Sequence, residues 1–225
     1  MLSALRLSSV LTVALVGSAC SVNSARNEVK KADAAMAKGD HDTAIDHFDE
    51  AIRLDRRFAR AHYGRGVAYA RKGLHDTAIA SYTEAIRLEP ENDVCVFDRG
   101  LAYWEHGSHQ QALADFKKAI ELNPKNDSAY NGMAWAMSTS PHSDVRDGKA
   151  AVEMATRACE LTEWRNPYHL STLAAAYAEV GQFERAIEFH KKAMASPEFP
   201  AAKMDRARQR LELYEEGQPY REVTK

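Results

Sequence analysis

The sequence predicts an all-α fold, a solenoid of about five helix pairs closed by a C-terminal capping helix. Three observations carry this reading. Alanine supplies 38 of 225 residues while Gly (11) and Pro (7) are sparse, a composition that favours helix nearly throughout. Five segments align without gaps: DTAIDHFDEAIRLD (42–55), DTAIASYTEAIRLE (76–89), QQALADFKKAIELN (110–123), KAAVEMATRACELT (149–162) and ERAIEFHKKAMASP (184–197), the first three spaced by 34 residues. Self-similarity at such a period marks a repeat architecture. Small residues recur in register, Ala44, Ala78, Ala112, Ala151 and Ala186 in the second helix of each pair and Ala32, Gly66, Gly100, Ala134 and Ala174 in the first. They let paired helices approach at the short end of packing distances.

Residues 1–20, MLSALRLSSVLTVALVGSAC, place one positive charge, Arg6, before an apolar run from Leu7 to Val16. The run is about half the roughly 20 residues that a spanning helix needs. Residues 1–19 therefore read as an export signal rather than a permanent anchor. The small residues ending at Cys20 resemble the bacterial lipoprotein cleavage box, in which that cysteine is acylated. Gly17 stands where the box prefers a branched residue, so export without a lipid and an uncleaved apolar start stay open. Ser21 in place of Asp implies, by the same resemblance, the outer membrane.

After a short tether (20–24), the register gives repeats at 25–58, 59–92, 93–126, 127–166 and 167–200. Gly39, Gly73, Gly107 and Gly181 mark where the first helix of a pair must end and turn. Pro90 and Pro124 close second helices. The fourth repeat carries an insertion over 138–150, with Pro141 preventing helix continuation; it is expected to protrude at one edge. In 201–225, Met204, Ala207, Leu211 and Tyr214 form one apolar stripe on an otherwise charged helix, which suits a cap over the exposed face of the last repeat. The recurring alanines, the turn glycines and Tyr69, Tyr103 and Tyr177 together resemble the tetratricopeptide repeat family over about 25–200. That resemblance implies a right-handed superhelix of antiparallel pairs, and a role in holding other proteins.

Little chemistry is written in the chain. A net charge of −2 gives no basic surplus for nucleic acid. His41, His75 and His109 recur at one repeat position, but equivalent atoms in stacked helices lie about 10 Å apart, too far to share a metal at about 2 Å. Cys95 and Cys159 fall on packing positions of different repeats and read as buried free thiols. No zinc, phosphate-loop or nucleophile motif appears. The expectation is a protein without catalytic residues, cofactor or metal, and not an enzyme.

The family resemblance places the working surface on the concave side, lined by the first helix of each pair. Carried over position by position, it selects Arg60, Tyr63, Arg71, Phe97, Leu101, Trp104, Asn131 and Trp135. The middle of this groove is aromatic and exposed, with arginines toward the N-terminal side, a suitable anchor for an apolar peptide. Val29, Asp33, Gly64, Val94 and Asp98 stand where chaperone co-factors of this family keep a lysine and asparagine clamp, so that mechanism is not expected. The sequence thus points to a non-enzymatic adaptor or scaffold of the bacterial envelope. It would bind a protein or peptide in its groove and reach the membrane through a lipid on Cys20. The alternative is a self-assembling protein that dimerises through the same aromatic face.

Overall fold

The alanine ladder produces helices throughout. Among the described residues, 23–222 of the computed structural model, regular structure consists of eleven α-helices and one 3-10 turn, with no strand. Residues 1–22, on which the expected export signal and Cys20 fall, and residues 223–225 lie outside the described region. The chain divides into two compact units between Ala102 and Tyr103.

The first unit holds α1 (23–37), α2 (His41–Leu54), α3 (Ala59–Arg71), α4 (His75–Leu88) and most of α5 (Asp93–Glu105). Ala25, Ala32, Ala44, Ala51 and Ala61 have no exposed surface and surround Phe48. That ring needs the missing side chain of Gly64, where a Cβ would fall 2.3 Å from Phe48 Cζ. Asp40 caps α2 by accepting the Thr43 amide at 3.1 Å. The reversal from α3 to α4 runs through Gly73 at φ +74°, a left-handed backbone that glycine adopts without a Cβ penalty. Cys95 is buried beside Tyr82, Ala78 and Ala85, its thiol 3.7 Å from the Tyr82 carbonyl.

The second unit holds α6 (His109–Leu122), α7 (Asp127–Thr139), α8 (Gly148–Leu161), α9 (Pro167–Glu179), α10 (Phe183–Met194) and α11 (Met204–Glu215). Helix α9 is almost wholly buried, packed by α7, α8 and α10. Cys159 sits in its core with Leu170, Leu173 and Ala176; both described cysteines are free. Helix α11 seats Ala207 and Tyr214 fully inside and lies on α10. His190 Nε2 donates to the Ala207 carbonyl at 2.9 Å.

The stretch between α7 and α8 leaves residues 141–144 exposed and is anchored behind them. Arg146 Nη1 donates to the carbonyls of Ser140 and Pro141 at 2.9 and 3.1 Å, and its Nε reaches Glu179 of α9 at 3.1 Å. Val145 is buried. An apolar side chain and one arginine tie the end of the stretch to the repeat.

Candidate functional site

Within the second unit, the last turn of α5 supplies Trp104 and the middle of α7 supplies Trp135. Both indoles are donors only, and both need an acceptor. The chain provides it from its own C-terminus. Just past helix α11 stands Gly217, φ +71°, where the Gly217 and Gln218 amides donate to the Tyr214 and Leu213 carbonyls at 3.1 and 2.8 Å. This reversal sends the tail back across α7.

One carboxylate oxygen of Glu222 then receives both indoles, Trp104 Nε1 at 3.1 Å and Trp135 Nε1 at 2.9 Å. The Glu222 amide donates to the Thr139 carbonyl at 2.8 Å. Arg221 lies 2.5 Å from Glu179 and donates to the Ser138 carbonyl at 3.3 Å. Tyr220 sets its ring 5.9 Å from that of Trp135, and Arg210 of α11 stands over both rings at 5.7 and 5.4 Å.

Beside the tail opens a cleft of about 540 Å³ lined by Asn131, Trp135, Tyr168, Ser171, Thr172, Phe199, Lys203, Arg206, Gln209, Arg210, Leu213, Tyr220 and Glu222. Its walls mix rings with cations, and Lys203 sits 4.6 Å above the Tyr168 ring, a geometry favourable for a cation on an aromatic face. Two buried polar atoms of this lining lack a partner, Asn131 Oδ1 and Arg210 Nε. The arrangement presents cations and ring faces to the open space.

The selected residues fall in both units. In the second, Trp135 and Asn131 line the cleft. Trp104 is only 8% exposed, not open as the sequence suggests. It lies under the tail and against His109, whose ring centre is 4.3 Å away. In the first unit, Leu101 is 39% exposed and Arg60 is committed to Asp33 at 2.7 Å. Tyr63 donates to Asp98 at 2.8 Å. Burial raises the Asp98 carboxyl above its usual range, opposed by the Tyr63 hydrogen bond and by Arg71. Arg71 is exposed and Phe97 half-buried. The sequence missed Glu222, Arg221 and Arg210, and no repeat position marks them.

No group of three or more His, Cys, Asp or Glu side chains among the described residues is placed to hold a metal. The His41, His75 and His109 rings sit at the first positions of α2, α4 and α6. Among the described residues no helix is long and apolar enough to cross a membrane.

Paired helices with alanine joints and turn glycines define a helical-repeat protein. Tetratricopeptide repeat models match residues 29–93, 97–126 and 170–200, more than half of the chain, and the chain belongs to that family. Solved structures agree in fold. The tetratricopeptide protein YrrB, described as having an unusual peptide-binding site, is 20% identical with a TM-score of 0.62, over 81% of this chain and 90% of that one. MamA (41-end) from Desulfovibrio magneticus RS-1 is 16% identical with a TM-score of 0.66, over 82% and 96%. TTC0263, a thermophilic tetratricopeptide protein of Thermus thermophilus, is 20% identical with a TM-score of 0.62, over 86% and 98%. Comparison with curated proteins finds no match.

Proposed function

We propose that this protein is a non-enzymatic adaptor of the bacterial envelope that holds an extended segment of a partner polypeptide in the cleft of its second unit. One observation carries the reading: the surface that adjoins the cleft already holds extended chain, since residues 220–222 lie across Trp104 and Trp135 with backbone and side-chain hydrogen bonds and form one wall of the cleft. Aromatic rings beside satisfied polar contacts are the usual anchors of peptide recognition. YrrB, a neighbour in fold, is itself described by its peptide-binding site. Export and a lipid on Cys20 are supported by the apolar run Leu7–Val16 and the small residues before the cysteine.

A photo-reactive residue in place of Asn131, crosslinked in the native cell, tests the binding surface. The expected result is a covalent partner at Asn131 and none at Lys192, which is exposed and does not line the cleft. Equal capture at both would refute the cleft, and a crosslink between two copies of the chain would make the protein self-assembling. Palmitate labelling of wild type and Cys20→Ala tests the anchor; equal labelling would remove it.

A further inference from the structure

The three tail residues that meet the second unit differ in chemistry, and each has its own partner. Tyr220 sets a tilted ring beside Trp135, Arg221 pairs with Glu179, and Glu222 takes two indole N–H groups. Among the described residues Glu222 is also the only acid in the cleft lining, which otherwise carries Lys203, Arg206 and Arg210. Lift the tail away and this surface keeps the Trp104 and Trp135 indole donors beside the cations Lys203, Arg206 and Arg210 of the cleft, with no carboxylate left in the described lining. An occupant that covers the indoles again without supplying an acceptor leaves buried donors unpaired, which is costly. The vacated surface therefore selects for what the tail supplies, a carboxylate on an extended backbone.

We infer that the seat of residues 220–222 on Trp104 and Trp135, together with the cleft beside it, recognises carboxylate-bearing extended polypeptide segments, and that residues 220–222 are a resident competitor which such a segment must displace from that seat. This rests on the adaptor reading above and adds the chemistry of the partner and a threshold for its capture. Only Gln218 and Pro219 separate Tyr220 from the end of the α11 reversal at Gly217, so the tail meets its site at an effective concentration on the order of millimolar. A weak segment is excluded by that competition. A segment with further acids facing Lys203 and Arg206 prevails.

The test uses a fluorescent peptide of residues 216–225 added to the full chain, read by anisotropy. The full-length Glu222→Gln protein, its own tail weakened, is expected to bind the peptide at least about ten-fold more tightly than wild type. The same peptide with Gln at position 222 is expected to lose about ten-fold on that variant. A chain ending at Gly217, with unchanged circular dichroism, is expected to behave like the variant or better. Three results would overturn the inference: equal binding by wild type and variant, no binding by either altered chain, or a full-length dimer that loss of the tail dissolves, which would make the tail an exchanged arm. If the peptide fails while crosslinking at Asn131 persists, the competitor is lost and the adaptor stands. Loss of that crosslink removes the adaptor reading itself.

Discussion

Arg221 of the tail lies 2.5 Å from Glu179, a carboxylate that Arg146 of the inserted stretch holds from the other side at 3.1 Å. Helix α9 thus ends on one acid that ties two irregular segments to the repeat. The Glu179 side chain is 13% exposed, so the pairing is partly shielded from water. Glu179→Gln leaves both guanidinium groups facing a neutral amide. The expected loss is about 1–3 kcal/mol in urea unfolding. Hydrogen exchange at the Glu222 amide should accelerate with it. An unchanged amide would show that the tail is held by the indoles alone.

Stability should fall in mild acid because of His190. Its ring is fully buried, with Nε2 donating to the Ala207 carbonyl and Nδ1 3.3 Å from the Ser171 hydroxyl, a pattern that suits the neutral imidazole. Burial pushes it down from 6.5 to about 4, helped by the nearby Arg210 charge and opposed by the Ala207 hydrogen bond. The unfolded chain therefore takes up the proton first. Stability is intact above about 6.5, declines as pH falls toward 4 and levels off below, with a total of about 3 kcal/mol. His190→Gln should flatten this slope between the two values while leaving carboxylate titration below them. A slope unaltered by the substitution would assign the acid sensitivity elsewhere.

Much of this architecture is legible because a periodic pattern reports a periodic contact. Ala44 and Ala112 are completely buried, and each can be read as a helix joint from its register alone. Trp104 and Trp135 are equally readable as concave positions of first helices. Their acceptor is not. Glu222 lies 118 residues beyond Trp104, in a segment after Gly217 that has no repeat to set its register. Arg210 misleads for a related reason. On the helix α11 pattern it belongs to the charged back of a cap, yet the pairing of α11 with α10 turns it over Trp135 and Tyr220. Asp98 likewise reads as a mismatch to a family clamp, whereas its structural role is to accept from Tyr63.

Gly64→Ala offers a sign test of the first unit's packing. An exposed mid-helix glycine normally gains about 1 kcal/mol on replacement by alanine. Here the new methyl would fall 2.3 Å from the Phe48 ring, which is 1% exposed and closed in by α1 and α2 alanines. Overpacking of this kind costs about 1–3 kcal/mol, so a lower melting temperature is expected. Pairing it with Phe48→Leu should restore part of the loss, because the ring edge is what collides. A more stable single variant would mean that the ring sits elsewhere.

The Tyr63–Asp98 contact sets the last prediction. Asp98 is half-buried and burial raises its carboxyl pKa, while the Tyr63 hydroxyl, donating at 2.8 Å, and Arg71 pull it back. Tyr63→Phe keeps the ring beside Tyr82, whose centre is 5.9 Å away, and removes only the donor. The Asp98 carboxyl should then titrate at higher pH than in wild type, as read by carbon NMR of the side chain. A folded-state pKa above the unfolded value means that ionised Asp98 opposes folding, so the variant should lose stability as pH rises through that titration. Asp98→Asn removes the charge and should cancel this loss at neutral pH. If Tyr63→Phe leaves the titration where it was, the hydroxyl does not reach the carboxylate in solution, and Arg71 alone moderates the buried acid.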